Sequence, residues 1–245
     1  MARSVNPLWS FDVLVVTASM DLLPRVASAA VAAGGLPRYG SGLRWQAIRA
    51  ASRARCPRCD LAVVLAESEH DVIAAHRLAT ELAVHLPTVV VLAPRRAVAR
   101  LADVRGVLVV SGPADDAFSN LVLFSHAILA PCNATAPVDV DWSDVRTIIA
   151  RGSRAVLEAG RGACAEISLC ALERALEESA PDTWYGGLGA IAARNACELR
   201  WYSRLLQHAQ LRSYSEEFVA VSSTVFDEAG AVALSTMLAI TRPSA

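Results

Sequence analysis

Three carboxylates and one histidine lie close together in the sequence, directly after an apolar run at residues 60–66. Glu67, Glu69, His70 and Asp71 stand there almost side by side. In doubly wound sheets the carboxyl ends of the strands bind small molecules, so these groups could supply acid–base chemistry. The simpler interpretation is an acidic first turn of a helix, which the helix dipole stabilises.

A second acidic pair follows the middle of the chain, where Asp141 and Asp144 have the pattern D-x-x-D. A carboxylate can position a water molecule or act as a general base when it lies within hydrogen-bond reach. The alternative is structural: Asp141 is a loop residue, Asp144 adds charge to a first helical turn, and Ser143 is the N-cap. Both interpretations place this segment at the start of a helix over residues 143–159.

Metal and thiol chemistry receives little support. Cys56 and Cys59 form one C-x-x-C, but structural zinc needs four ligands, and no second Cys or His pair stands at matching spacing. We therefore predict no metal site and interpret the pair as two thiols in a turn. The remaining cysteines stand singly in apolar segments and are predicted to be buried: Cys132, Cys164, Cys170 and Cys197.

The composition excludes some classes of partner. The 245 residues carry a net charge of -1, and the basic residues are all arginine. Without a clustered basic face we expect no nucleic-acid partner. No apolar run reaches the roughly 18 residues of a membrane-spanning helix, and the N-terminus lacks a signal-peptide layout. We therefore expect a cytoplasmic protein without direct membrane insertion.

The first half of the chain alternates apolar strands with helices. Such alternation indicates a parallel sheet that is covered on both faces. The nearly all-apolar segment 115–130 predicts a buried central helix that Pro131 and Pro137 end. Strands are predicted at residues 11–17, 60–66, 88–93 and 105–111, and helices at 21–33, 43–54 and 69–85.

The second half predicts a smaller mixed sheet with helices on it. Residues 227–230 join the last two strands and indicate a hairpin turn. We predict a first domain over residues 1–114, the central helix and a loop over 115–137, and a second domain over 138–245. The strands of this second domain are predicted at 161–164, 189–195, 217–225 and 231–241. Its helices are predicted at 143–159, from the end of the strand at 161–164 to about residue 179, and at 197–211.

The segment from Val138 to Thr147, V-D-V-D-W-S-D-V-R-T, resembles the pattern N-V-D-F-x-D-V-x-T of the FtsZ family. Residues 160–175 and 221–240 resemble a later strand–helix unit and the closing strands of that family, and 59–93 has its strand–loop–helix–strand rhythm. The resemblance implies a tubulin/FtsZ-like α/β fold. Such a fold has a parallel Rossmann-like N-terminal sheet, a long central helix and a smaller mixed-sheet C-terminal domain.

The resemblance also implies a degenerate nucleotide site. The family holds GTP on glycine-rich turns, because bare backbone amides must approach phosphate closely. Here Ser19 and Asp21 stand at the first such turn, and Glu67, Glu69 and His70 replace the signature G-G-G-T-G-T-G. Asn120 stands near the family's base-contacting position. The resemblance therefore implies a protein of GTPase ancestry that binds no nucleotide cofactor.

The segment of residues 138–147 corresponds to the loop that in this family enters the pocket of the neighbouring subunit. Asp141 and Asp144 match its two acids, which would act in trans, while Asp139 replaces Asn and Trp142 replaces Phe. With Arg146, these residues form the predicted interface. The resemblance implies a non-hydrolysing pseudo-GTPase that binds FtsZ or another tubulin-like protein and caps or regulates cytoskeletal filaments in cell division.

Two other functions remain open. The chain could assemble with itself through tubulin-like contacts without nucleotide. It could instead be an α/β enzyme that binds a small molecule beside Glu67, Glu69, His70 and His76. The six-residue spacing of the two histidines does not match the i, i+4 spacing that shares a helix face, and we recognise no catalytic triad.

Overall fold

The computed structural model describes most of the chain. The described residues are 11–17, 23–26, 43–49, 59–98, 101, 103–133, 140–179, 184–193, 199–212, 219–225 and 232–241. The predicted site residues Ser19, Asp21 and Asp139 lie outside these ranges, as do Cys56 and Cys197. Of the first predicted helix, residues 23–26 are described and are helical.

Five parallel strands form the first half of the sheet, in the order β2-β1-β3-β4-β5. β3 and β4 are buried along their whole length, because their valines and leucines meet covering layers on both faces. This arrangement confirms the predicted parallel sheet. The elements are β1 (Phe11–Thr17), β2 (Leu43–Arg49), β3 (Leu61–Leu65), α1 (Asp71–Ala83), β4 (Val89–Pro94), α2 (Arg95–Val98) and β5 (Val107–Gly112).

The predicted helix over residues 43–54 is wrong. Leu43–Arg49 is instead a strand that pairs in parallel with β1, in register from Phe11 opposite Leu43 to Thr17 opposite Arg49. Several residues of its sequence, LRWQAIR, favour helices, but the edge of β1 supplies backbone partners, and strand pairing overrides local propensity. The alternation of apolar and polar residues at its start was the overlooked signal.

The predicted buried central helix is confirmed as α3 (Ala117–Asn133). It continues past Pro131, where we predicted its end. A proline removes one backbone N–H, yet most of the stability of a protein helix comes from packing of its buried face. Among the described helices, none combines the length and hydropathy of a membrane-spanning segment.

A mixed set of strands forms the second half. β6 pairs in antiparallel fashion with β9, β9 pairs in antiparallel fashion with β7, and β7 pairs in parallel with β8. The predicted mixed C-terminal sheet is therefore confirmed. The elements are α4 (Trp142–Arg151), β6 (Arg154–Gly162), α5 (Ala165–Ser179), β7 (Gly186–Ala193), α6 (Leu199–Arg212), β8 (Val219–Val225) and β9 (Ala233–Thr241).

The helix predicted over residues 143–159 ends early. α4 stops at Arg151, Gly152 is its C-cap, and the chain then enters β6. Arginine, alanine, leucine and glutamate dominate the start of β6 and favour helices, which explains the wrong prediction. Pairing with β5 on one side and β9 on the other makes this segment an inner strand.

The predicted hairpin between the last two strands is also wrong. β7 lies between β8 and β9, so the two strands are not neighbours in the sheet. Parallel neighbours such as β7 and β8 need a crossover, and α6 lies between them in the chain. The local turn residues at 227–230 therefore indicated a chain reversal but not which strands pair.

Within the described residues, nine strands form one sheet that runs through both halves, which are joined where β5 pairs with β6. On one face, buried side chains around α3 form a continuous cluster, the α3 core, which includes residues from β1 to β9. On the other face the buried side chains form two separate clusters. The α1 core lies beneath α1 and α2, and the α5 core lies beneath α5 and α6. The domain limits at 114 and 137 stay predictions.

Candidate functional site

Glu67 lies at the carboxyl end of β3 and contacts the neighbouring strand. The hydroxyl of Thr17, the last residue of β1, donates a hydrogen bond of 3.1 Å to Glu67 Oε1. Thr17 is buried, and Glu67 is half-buried. The contact links the ends of adjacent strands at the position where a doubly wound sheet usually binds its ligand.

The first amide of α1 is hydrogen-bonded to the loop that precedes the helix, and the N-cap residue His70 makes no side-chain cap bond. The Asp71 amide donates to Ser68 Oγ at 3.3 Å and to the Ser68 carbonyl at 3.2 Å, while Ser68 Oγ donates to Asp71 Oδ2 at 2.7 Å. This amide is one that an anion at the helix start would otherwise use. The structure therefore engages it within the protein.

Glu69 lies near a cation from the next strand end. Its carboxylate is 3.9 Å from Arg96 Nε, and Arg96 belongs to α2, directly after β4. His70 is exposed beside it. Pairs as exposed as this one contribute about 0–1 kcal/mol to stability. The Glu69–Arg96 pair also changes the local charge, because the arginine neutralises part of the negative charge of this loop.

Asn120, predicted to lie near a base-contacting position, is engaged within the chain. It is 0% exposed, its Oδ1 accepts from the Ala114 amide at 2.9 Å, and its Nδ2 donates to the Ala114 carbonyl at 2.7 Å. A Cβ on Gly112 would lie 2.2 Å from the Asn120 side chain. The amide thus holds the loop between β5 and α3, and the glycine permits that close approach.

At the start of α4, Asp141 is the N-cap, and the predicted Ser143 cap is therefore wrong. Asp141 Oδ1 accepts from the Asp144 amide at 3.0 Å and from the Ser143 hydroxyl at 2.6 Å. These bonds, the hydroxyl's first, hold the pKa of Asp141 below its ordinary value. Asp141 is exposed, so its carboxylate can cap the helix and still face a partner.

The neighbours of Asp141 differ in exposure. Trp142 is half-buried and packs against the α3 core, which fixes the first turn of α4. Asp144 and Arg146 are exposed on that helix. Of the predicted interface residues, the exposed charges are therefore the ones a partner can reach most directly.

The two acidic segments lie at opposite ends of the sheet. α3 begins after the carboxyl end of β5, and its 17 residues span about 25 Å, enough to return the chain to the other end. The thiol of Cys132 lies in the last turn of α3, and its pKa is raised to about 12. Burial is the main cause, and the nearby charges of Asp141 and Asp144 are the second. The start of α4 is therefore close to the last turn of α3. Groups at these two ends do not meet within one molecule.

Two cysteine predictions are wrong. Cys164 and Cys170 are exposed, because the first precedes α5 and the second lies on its outer surface. Cys132 is half-buried, and its thiol donates to the Ile128 carbonyl at 3.6 Å. In the described part of the chain, no group of three or more His, Cys, Asp or Glu side chains could hold a metal ion.

Arg95 and Glu158 form a contact that sequence reasoning missed. Arg95 follows β4 directly and donates to the buried carboxylate of Glu158 on β6. Burial lowers the pKa of Arg95. The available signal was the arginine pair at the end of a buried strand, but its partner lies 63 residues away in the sequence.

No protein-family model matches the chain, and no curated protein matches it in sequence. Among solved structures it is similar to a tryptophan-to-tyrosine mutant of FtsZ from M. jannaschii, with a TM-score of 0.66 and 13% identity over 95% of this chain and 92% of the other. An empty FtsZ dimer from M. jannaschii gives a TM-score of 0.65 and 12% identity over 94% of this chain and 88% of the other. The chain therefore has an FtsZ/tubulin-like fold, as the resemblance in its sequence predicts.

Proposed function

We propose that this protein is a non-hydrolysing member of the FtsZ/tubulin-like class that binds an FtsZ-type subunit and regulates or caps its filaments. The proposal rests on the strand-end edge, by which we mean the carboxyl ends of β1 and β3 with the loop of residues 66–71. The polar groups of this edge already have partners within the chain. Glu67 accepts from Thr17, Glu69 lies beside Arg96, and Ser68 accepts from the Asp71 amide. The loop from Ala66 to Asp71 contains no glycine that would expose bare amides to phosphate.

Electrostatics supports the same conclusion. A phosphate oxygen 4 Å from one of these carboxylates would meet a repulsion of about 4 kcal/mol at an effective dielectric of 20. Arg96 offsets part of this repulsion, but Arg95 is already engaged with Glu158. The loop has more acidic side chains than it has arginines to neutralise them. A nucleoside triphosphate, which is negatively charged, would therefore meet a site with excess negative charge.

The other end of the molecule supports the partner part of the proposal. The exposed carboxylates of Asp141 and Asp144 lie away from the chain's own strand-end edge, so they can serve only a pocket on another subunit. Arg146 on the same helix adds an exposed cation. A partner that offers a complete nucleotide pocket, FtsZ or another tubulin-like protein, fits this geometry.

Co-sedimentation with the FtsZ of the same organism tests the proposal. We expect wild type to bind, and Asp144→Asn with Arg146→Ala to weaken binding about tenfold, the effect of losing about 1.4 kcal/mol. Asp141→Ser keeps an N-cap while removing the charge, which separates recognition from folding. The matched control is Glu177→Gln, an exposed acid on α5. Equal binding of all variants would show that these residues do not form the interface.

A second candidate is self-assembly without nucleotide. Arg105, Arg146 and Arg151 are exposed near the amino ends of β5 and β6, opposite the acidic loop at the carboxyl ends. These arginines share their end with Asp141 and Asp144, so direct contact of the arginines with the acidic loop of another copy would favour head-to-tail assembly. Sedimentation velocity at low and high salt tests this candidate. Salt-sensitive oligomers that Arg105→Glu disrupts would support it, and a monomer at every concentration would exclude it.

A further inference from the structure

The two faces of the sheet treat the junction between its halves differently. On the face of α3, one apolar core continues from the first strands to β6, β7 and β9. On the opposite face, the α1 core and the α5 core are separate clusters. The strand at the boundary is β6, and its ladder with β5 has three register pairs, compared with nine for its ladder with β9.

Polar side chains of β6 occupy this gap between the two cores. Glu158 is 4% exposed, and its Oε1 accepts from Arg95 in the first half and from the Ser179 hydroxyl at the end of α5. A carboxylate buried to this degree is tolerated only with such partners, because losing its hydration costs several kcal/mol.

A second arginine crosses the same gap in the opposite direction. Arg154 of β6 donates to Asp103 at 2.7 Å and to the Val98 carbonyl at 3.3 Å, and it also donates to the Leu101 carbonyl. Val98 is the last residue of α2, and Leu101 and Asp103 follow that helix in the chain. Arg95 and Asp103, on either side of this stretch, are thus both bonded to side chains of β6.

We propose that this polar seam, formed by Arg95, Glu158, Ser179, Arg154 and Asp103, is a latch between the two halves of the molecule. The continuous α3 core acts as the hinge on the other face. Apolar contacts tolerate small sliding without losing partners, whereas the seam depends on a few directional charge-assisted hydrogen bonds. Breaking the Arg95–Glu158 contact lets the halves open on the seam side while α3 keeps them joined.

Native-state hydrogen exchange on the full chain tests the latch. The measured quantity is the ratio of exchange rates between the most protected amides of β9 and those of β4. In wild type we expect a ratio near one, because latched halves open together. In Arg95→Gln we expect the ratio to depart from one by about tenfold, since Glu158 loses its charged partner.

Glu158→Gln provides a milder variant that keeps the shape of the side chain and leaves Arg95, about half exposed at 47%, hydrated. It should shift the ratio in the same direction, and it keeps the test open if Arg95→Gln does not fold. The matched control is Glu173→Gln, which breaks an arginine–carboxylate contact with Arg204 inside the second half. This control should leave the ratio at the wild-type value.

Three results would overturn the latch. One is a ratio that stays at the wild-type value in both seam variants while overall stability falls, which would make the pair an ordinary core contact. Another is a wild type whose halves already exchange independently. A change of the ratio in Glu173→Gln as large as in Arg95→Gln would also contradict a role specific to the seam.

Discussion

At the residue scale, Asp141 is the N-cap of α4 and also belongs to the interface that we propose. Its Oδ1 caps α4 through the Asp144 amide, and the side chain remains exposed. Asp141→Ala should therefore lower the free energy of unfolding by about 1 kcal/mol, the usual effect of losing an N-cap. Asp141→Ser should lower it by much less. Urea unfolding of both variants checks this, and equal losses would contradict the capping role.

His126 predicts how stability depends on pH. It is buried in α3, and its Nδ1 lies 2.7 Å from Thr236 Oγ1. Burial lowers its pKa to about 4 from the model-compound value of 6.5. The unfolded chain therefore binds a proton first as the pH falls, and stability is lost between about 6.5 and 4. The expected loss is about 2 kcal/mol between pH 7 and pH 5.

The check on His126 is a pair of unfolding curves at pH 7 and pH 5. His126→Gln does not titrate, so its loss between these pH values should be smaller than that of wild type by the same amount. Comparing the change with pH, and not the stability itself, removes any cost of the substitution. Equal losses in the two proteins would mean that His126 has the same pKa in the folded and unfolded states, which would contradict the prediction.

At the element scale, Gly160 sets the distance between α5 and β6. A Cβ at this position would lie 2.0 Å from the Ser168 carbonyl and 2.3 Å from the Leu172 amide. Because both are backbone atoms, the whole helix must move. Gly160→Ala should cost about 3 kcal/mol, at the upper end of overpacking effects.

Gly187→Ala is the matched control, since that glycine is also buried in a strand. Its nearest neighbour is the flexible Met237 side chain, with Sδ at 3.3 Å. We expect a loss of less than about 1 kcal/mol there. Thermal unfolding of the two variants measures the difference, and similar melting temperatures would contradict close helix–sheet contact at Gly160.

The elements also show where sequence reasoning succeeded and failed. Long apolar runs such as those of β3, β4 and α3 were recognised, because burial on every side leaves a continuous apolar signal. β2 and β6 were missed, since helix-favouring residues fill them and their strand state comes from pairing with distant segments. The order β9-β7-β8 was missed for the same reason, because pairing partners are not written in local turn residues.

The same limit applies to the candidate sites. The acidic loop at Glu67 and the acidic start of α4 were found from residue types alone. Their internal partners were not found, because Thr17, Arg96 and Arg95 come from other strand ends. Asn120 was assigned to a nucleotide base by resemblance, whereas its burial and its two bonds to Ala114 depend on the folded loop.

At the scale of the whole molecule, the fold places the acidic loop of residues 66–71 and the acidic start of α4 at opposite ends. This separation makes the protein asymmetric along the axis on which head-to-tail assembly would occur. In the proposed function, such a subunit would offer Asp141 and Asp144 to a neighbour, while its own edge would supply no nucleotide for the next one. The proposed capping role follows from that asymmetry.

Equilibrium titration of the purified chain with fluorescent GTP and Mg²⁺ distinguishes a degenerate nucleotide site from a working one. We predict no saturable binding below about 1 mM, which corresponds to a binding free energy weaker than about 4 kcal/mol. The reason is that the acidic loop of residues 66–71 is negatively charged and its polar groups are bonded within the chain. An FtsZ with intact glycine-rich turns, measured in the same buffer, is the positive control. Saturable binding with a micromolar Kd that unlabelled GTP displaces would contradict the account.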